Sequence, residues 1–79
     1  STSSPLIASL YARFGITTNI LYGNVEILQN TPIGNLIVVL SGEESKREEA
    51  IAYLESNQVN VKTIKHNQNV ISFNQEQIV

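Results

Sequence analysis

The chain begins with apolar residues at helical spacing. Large apolar side chains stand at positions 6, 7, 10, 11 and 14, which places them on one side of an α-helix. Ser4 followed by Pro5 is typical of a capping residue and a first helical residue, where proline loses nothing by lacking an N–H. Gly15 can take the left-handed conformation that ends a helix. The pattern therefore predicts a first helix over residues 5–14.

An extended segment follows, and its apolar pattern changes parity once. Ile16 and Ile20 occupy even positions, whereas Val25 and Ile27 occupy odd ones. Because strand side chains alternate between two faces, such a change needs one extra residue, and Gly23 is the predicted bulge. Residues 29–34 (QNTPIG) are rich in breakers and predict a turn.

The second half repeats a strand–helix–strand succession. Residues 36–40 (LIVVL) predict a strand with much of both faces covered, and residues 43–56 predict a helix with acids in its first turn. Alternation returns over residues 59–63 and predicts another strand. Polar residues 66–69 predict a turn, and residues 70–73 a short final strand.

Composition restricts the classes of function. A chain of 79 residues is expected to form one domain over residues 1–79, and a net charge of −2 without a basic patch disfavours nucleic acid. No apolar run reaches the roughly 20 residues that span a bilayer. The chain has no cysteine, one histidine (His66) and no G-x-x-x-x-G-K-[ST] phosphate loop, so we expect no metal, no cofactor and no enzyme activity.

The predicted order, αββαββ, becomes βαββαβ when the last strand is moved to the front. That is the ferredoxin-like arrangement, an α+β split βαβ sandwich with two helices on one face of a four-stranded antiparallel or mixed sheet. We therefore expect residues 70–73 at the sheet centre, antiparallel to residues 59–64 and parallel to residues 36–40. The order also indicates a circular permutation, in which residues 66–69 are a fusion turn between the original termini.

Three short motifs carry a resemblance to a known family. They are NIL at residues 19–21 followed by Gly23, TPIGNL at residues 31–36, and LSG at residues 40–42. Together they closely resemble the NIL domain, which is ferredoxin-like, is related to ACT domains, and lies at the C-terminus of the ATPase subunit of bacterial methionine-import ABC transporters. After rotation the resemblance covers nearly the whole chain, with residues 70–73 in place of the family's first strand.

The resemblance implies a regulatory function. NIL domains bind L-methionine and repress transport when cytoplasmic methionine is high. By that resemblance we expect a homodimer with L-methionine near the subunit interface, and an ATPase domain and membrane permease as partners in the parent transporter. The expected location is the cytoplasm, at the inner face of the cell membrane, with no insertion of this domain into the bilayer.

The resemblance also implies a ligand site. It places the family's ligand contact on Asn19, whose amide can both donate to a carboxylate and accept from an ammonium group. Leu21 would meet the thioether chain, with Ile20 and Tyr22 beside it. From the residue pattern alone, Asn19 also fits a solvent-facing strand position, and Leu21 fits core or a dimer contact.

Two further groups complete the predicted site. Pro32, Ile33 and Gly34 are candidates, and a plain hairpin turn is the alternative for them. Pro5 and Leu6, next to Ser3 and Ser4, start the first helix, whose free N–H groups can hold a carboxylate. An ordinary helix cap is the alternative there.

Two hypotheses of different classes follow. One is a methionine-sensing domain. The other is a structural module that only pairs two subunits, or an engineered, permuted chain made for folding studies, without ligand binding.

Overall fold

The computed structural model describes residues 5–74, which form two helices and one four-stranded sheet. The elements are α1 (Leu6–Phe14), β1 (Thr17–Leu28), β2 (Thr31–Ser41), α2 (Glu44–Ser56), β3 (Asn60–Lys65) and β4 (Gln68–Asn74). The sheet order is β1-β2-β4-β3, and all neighbouring strands are antiparallel. The predicted α+β fold in the order αββαββ is confirmed. In this part of the chain, no helix is long and apolar enough to cross a membrane.

The last strand lies in the centre of the sheet, as predicted. Ile71 of β4 lies opposite Leu36 of β2 and opposite Val61 of β3, and its side chain is fully buried. The predicted parallel pairing with residues 36–40 is wrong, because β4 is antiparallel to β2. A hairpin reverses the chain between β3 and β4, and β4 runs antiparallel to both of its neighbours, so β2 and β3 run in the same direction.

The core lies between the sheet and both helices, on one face of the sheet. Even positions of β2 and odd positions of β4 point to this face, as strand alternation requires. The described core consists of Leu6, Leu10, Ile16, Val38, Leu40, Ala50, Leu54, Val59 and Ile71. We call the opposite side of the sheet the helix-free face.

The first helix ends at the predicted residue but begins one residue later than predicted. Gly15 has the left-handed φ of 68° and its N–H donates to the Tyr11 carbonyl over 2.9 Å, which confirms it as the helix end. Pro5, however, has an extended ψ of 123° and occupies the capping position, so α1 begins at Leu6. The predicted cap, Ser4, and its neighbour Ser3 lie outside the described residues.

The parity change in β1 is confirmed, but the predicted position of the bulge is wrong. Ile20 pairs with Val38 while Tyr22 pairs with Ile37, so Leu21 is the extra residue. Gly23 has another role: a Cβ atom there would come within 2.8 Å of the Leu36 side chain. Glycine at position 23 therefore lets the partly buried Leu36 side chain, which packs against the core, lie directly over the backbone of β1.

The β1–β2 turn is shorter than predicted. It consists of Gln29 and Asn30 alone, with φ values of 51° and 67°, as a two-residue hairpin of the type I′ class needs. Residues 32–34 belong to β2 instead of the turn. A proline is tolerated at position 32 because β4 pairs with β2 only from Ile33 onward, which leaves that edge free of ladder bonds.

We predict that deleting residues 70–79 abolishes cooperative unfolding. The deletion removes the central part of β4, including the fully buried Ile71, and leaves β2 and β3 without their shared neighbour. Circular dichroism with thermal unfolding tests this. A chain ending after Asn74 keeps β4 whole and is the control. A truncated chain that still unfolds cooperatively would contradict the central role of β4.

We also predict that alanine substitutions of two isoleucines four positions apart lower the free energy of unfolding by different amounts. Ile16 is 1% exposed, so Ile16→Ala should lower the free energy of unfolding by about 2–5 kcal/mol. Ile20 is 51% exposed, so Ile20→Ala should cost about half as much. Urea unfolding measures both. Equal costs would mean that Ile20 is buried in the form of the protein present in solution.

Candidate ligand site on the helix-free face

A row of polar side chains crosses the helix-free face. Asn24, Asn35 and Ser72 lie opposite one another on β1, β2 and β4, and Asn60 continues the row on β3. The Asn35 amide nitrogen donates to Oδ1 of Asn24 over 3.0 Å, and the Ser72 hydroxyl donates to Oδ1 of Asn35 over 2.6 Å. These bonds join three strands through side chains, in addition to the backbone ladder.

The polar row forms the floor of an open trough of about 490 Å³. Apolar side chains from the adjacent row, Tyr22, Ile37 and Val70, line one side. Among the described residues that line this trough, the charged ones are Glu26 on β1 and Lys62 on β3, at opposite edges of the sheet. A second depression of about 390 Å³ continues the trough toward Ile33.

Asn19 lies on the same helix-free face, before the bulge. It is exposed and pairs with Val39 of β2, whose neighbours Val38 and Leu40 point into the core. Tyr22 is on the same face after the bulge and is 58% exposed. Ile20 pairs with Val38 and therefore points to the helix side. Of the predicted NIL-motif residues, Asn19 and Tyr22 thus share a face and Ile20 does not.

Leu21 owes its position to the bulge. As the extra residue it has no partner on β2, and half of its side chain is exposed. A bulge leaves the ladder locally open and re-aims side chains, which makes this point of β1 accessible to a ligand or a neighbouring chain. The alternative of Leu21 as a core residue is excluded by its exposure.

The other predicted site residues lie elsewhere in the single chain. Ile33 is on the helix-free face but six residues from Val39 along β2, about 20 Å at the strand rise, which is longer than an amino acid. Gly34 is buried under the Phe73 ring, to which a Cβ atom would approach within 2.8 Å. Pro32 is exposed at the start of β2.

The start of α1 is on the other side of the sheet. Leu6 packs in the core at 6% exposure, and Pro5 is exposed beside it. Asn19 is separated from both by the sheet itself. One copy of the chain therefore brings Asn19, Leu21 and Tyr22 together and leaves the Pro5–Leu6 and Pro32–Gly34 groups apart from them. Their ligand roles remain predictions.

Sequence reasoning missed the polar row. A two-residue turn at Gln29 and Asn30 pairs positions whose numbers add up to 59, and Asn24 with Asn35 is one such pair. Locating the turn correctly would therefore have placed these amides side by side. Ser72 could not be found in this way, because its register against β2 depends on how the hairpin β3–β4 docks.

His66 lies in the β3–β4 turn, beside a smaller depression of about 230 Å³ that α2 also lines. Within it, Asn69 is buried and its amide donates to the Thr63 hydroxyl over 3.1 Å. Among residues 5–74 there is no group of three histidine or acidic side chains placed to hold a metal ion.

Comparison with known proteins places most of the chain in one family. A family model described as the NIL domain matches residues 1–63. The chain is 56% identical over 64 residues to methionine import ATP-binding protein MetN 1 of Enterococcus faecalis, and 48% identical over 64 residues to MetN of Lacticaseibacillus paracasei. It is 49% identical over 65 residues to MetN 2 of Oenococcus oeni.

These matches cover 81–82% of this chain but only 18% of each relative, so the chain spans less than a fifth of the length of these proteins. No solved structure matches. The family match ends at residue 63, so β4 lies beyond it. The predicted permutation, with β4 in place of the family's first strand, stays a prediction. The match over residues 1–63, with the NIL motif at residues 19–21 inside it, shows that this chain belongs to the NIL domain family.

Proposed function

We propose that this chain is the L-methionine-sensing regulatory domain of a bacterial methionine ABC importer. It would bind cytoplasmic methionine at the inner face of the membrane and inhibit transport, with an ATPase domain and a permease as its partners. The observation that carries the proposal is family membership over a segment that contains the exposed NIL motif. The relatives' description as methionine import proteins supports the choice of ligand.

The chemistry of the Asn19 region suits an amino acid. The Asn19 amide carries donors for a carboxylate and an acceptor for an ammonium group, and it is exposed at the start of β1. The half-exposed Leu21 and Tyr22 side chains provide apolar contact for a thioether chain. The amino acid's polar end would meet Asn19, and its side chain would lie against the bulge.

We further propose that the domain acts as a homodimer with methionine near the subunit interface. Among the residues that the structure describes, a single copy presents Asn19, Leu21 and Tyr22 on an open strand, without walls that enclose a ligand. Small ligands in proteins are usually largely buried. A second copy next to β1 would supply the missing wall.

A second candidate function is a purely structural pairing module. The observation that favours it is the concentration of exposed apolar side chains on β1, which suits subunit contact without any ligand. Titration with L-methionine separates the two candidates: sensing requires saturable heat that is selective for the side chain, whereas a pairing module gives none.

We predict that Asn19→Ala weakens L-methionine binding about ten- to a hundredfold. Losing a hydrogen bond to a charged group costs about 1.5–3 kcal/mol, which corresponds to that change in affinity. Isothermal titration calorimetry measures it. The matched control is Asn60→Ala, which removes another exposed asparagine of the helix-free face at the far edge of the sheet, on β3. Normal methionine binding by a dimeric Asn19→Ala chain would place the site elsewhere.

A further inference from the structure

Two opposite charges line the trough of the helix-free face without contacting each other. Glu26 stands on β1 and Lys62 on β3, and both residues are exposed. Within residues 5–74, neither side chain forms an ion pair or a hydrogen bond. An acid and a base that line one depression and are both unpaired suit a ligand that carries a cationic and an anionic group.

The register of the sheet gives the distance between these two charges. Glu26 pairs with Ile33, whereas Lys62 pairs through Val70 with Ile37, so the two residues lie four positions apart along the strands, about 13 Å. They are also three strand spacings apart across the sheet, about 14 Å. Their Cα atoms are therefore about 19 Å apart. Extended glutamate and lysine side chains that lean toward each other leave a gap of roughly 9 Å.

This gap sets the length of a ligand that can meet both charges. In a free amino acid, the ammonium and carboxylate groups share one carbon atom and are less than about 4 Å apart. An extended tripeptide places its terminal ammonium and carboxylate groups about 10 Å apart. The trough, at about 490 Å³, also has a volume within the range of roughly 300–1,000 Å³ that is usual for small-molecule sites. A tripeptide therefore fits the two charges, and a single amino acid does not.

The groups halfway between the two charges match one peptide bond. The line from Glu26 to Lys62 crosses the polar row between β2 and β4, at Asn35 and Ser72. Asn35 uses one amide N–H toward Asn24, and the Ser72 hydroxyl donates its hydrogen to Asn35. The second N–H of Asn35 and the Ser72 oxygen have no further partner among the described residues. A peptide bond has one C=O and one N–H, which this donor and this acceptor can satisfy.

The hydrogen bonds of the polar row also fix how these groups are presented. The Asn35 amide is held at both ends, because it accepts from Ser72 over 2.6 Å and donates to Asn24 over 3.0 Å. A donor whose orientation is fixed before binding loses less freedom when a ligand arrives. The adjacent apolar row of the trough offers a surface for the ligand's side chains.

We propose that the trough binds a short zwitterionic peptide, a tripeptide in extended form. Its ammonium group binds the Glu26 carboxylate, its carboxylate binds the Lys62 ammonium group, and its central peptide bond lies on Asn35 and Ser72. The site goes beyond the proposed function, because Asn19 does not line the trough. It needs neither methionine nor a second copy of the chain.

Nuclear magnetic resonance of the 79-residue chain tests the site with the tripeptide Ala-Leu-Ala. Titration should give saturable shifts of the side-chain amide signals of Asn24 and Asn35. The same tripeptide, acetylated at its N-terminus and amidated at its C-terminus, lacks both charges and should bind about four- to twentyfold more weakly. Absence of saturable shifts with the free tripeptide, or equal affinity for the blocked one, would overturn the proposal.

A substitution at one end of the trough tests the role of its charge. Lys62→Gln should raise the dissociation constant of Ala-Leu-Ala about two- to fivefold, the usual effect of losing an exposed ion pair. The matched control is Lys65→Gln, which removes the same charge from an exposed position on the same strand that does not line the trough. The control should bind like the unchanged chain. Equal weakening by both variants would indicate an effect of net charge and would contradict the site.

Exchanging the two charges tests whether one ligand bridges them. Glu26→Lys alone and Lys62→Glu alone each leave two like charges in the trough, so both should weaken Ala-Leu-Ala binding. The chain with both substitutions keeps its net charge and should regain binding, because the tripeptide can lie in the opposite direction. Circular dichroism checks that each variant folds. A double variant that binds no better than the single ones would rule out bridging.

Titration with L-methionine distinguishes this proposal from the proposed function. Lys62→Gln should leave methionine binding unchanged, and Asn19→Ala should leave Ala-Leu-Ala binding unchanged. A chain that binds the tripeptide but no methionine would support the trough site and overturn the sensing function. A chain that binds methionine but not the tripeptide would do the reverse.

Discussion

The structure depends on the burial of β4 between β2 and β3. Ile71 is the centre of this arrangement, fully buried between two strands and beneath the layer that contains Leu10 and Leu54. Without β4, β2 and β3 have no shared neighbour, and the crossover through α2 connects strands that do not touch. The proposed ligand site on β1 belongs to this sheet, and β4, the strand that joins β2 to β3, lies beyond residues 1–63 that the family model matches.

On the helix-free face, the polar row also depends on β4. Ser72 of β4 donates to Asn35, and Asn35 donates to Asn24 of β1, so the side-chain bonds run from the central strand to the outermost one. Each such bond contributes about 0.5–1.5 kcal/mol net, a modest amount, but together they orient a face that the helices do not cover. The hairpin β1–β2 is therefore held to β4 on both faces of the sheet, by the core on one face and by the polar row on the other.

The two edges of the sheet differ in how readily another strand could pair with them. Lysines and short length close the β3 edge, while β1 is long and has exposed apolar side chains on both faces. The bulge at Leu21 divides β1 into a part that contains Asn19 and a regular part that suits pairing. The proposed methionine contact at Asn19 and the proposed subunit contact would thus lie next to each other on this strand.

The sequence by itself determined the type and order of every element, the end of α1 at Gly15, the parity change in β1 and the central place of β4. These follow from local periodicity, from glycine's access to positive φ, and from the need of the apolar residues 36–40 for neighbours on both sides. The NIL motif likewise identified the family from a few adjacent residues. Local patterns were sufficient because each of these features is settled by residues close together in the chain.

Only the tertiary structure decided the register, the true bulge and the grouping of the candidate site. Gly23 appeared to be the bulge because glycine often marks one, but the Leu36 side chain is what requires it, and the extra residue is Leu21. The antiparallel pairing of β4 with β2, the separation of Ile33 from Asn19 and the polar row through Ser72 all depend on how distant segments align. Sequence periodicity gives the face of a side chain but not its partner across the sheet, because register is set by packing between strands that are far apart in the chain.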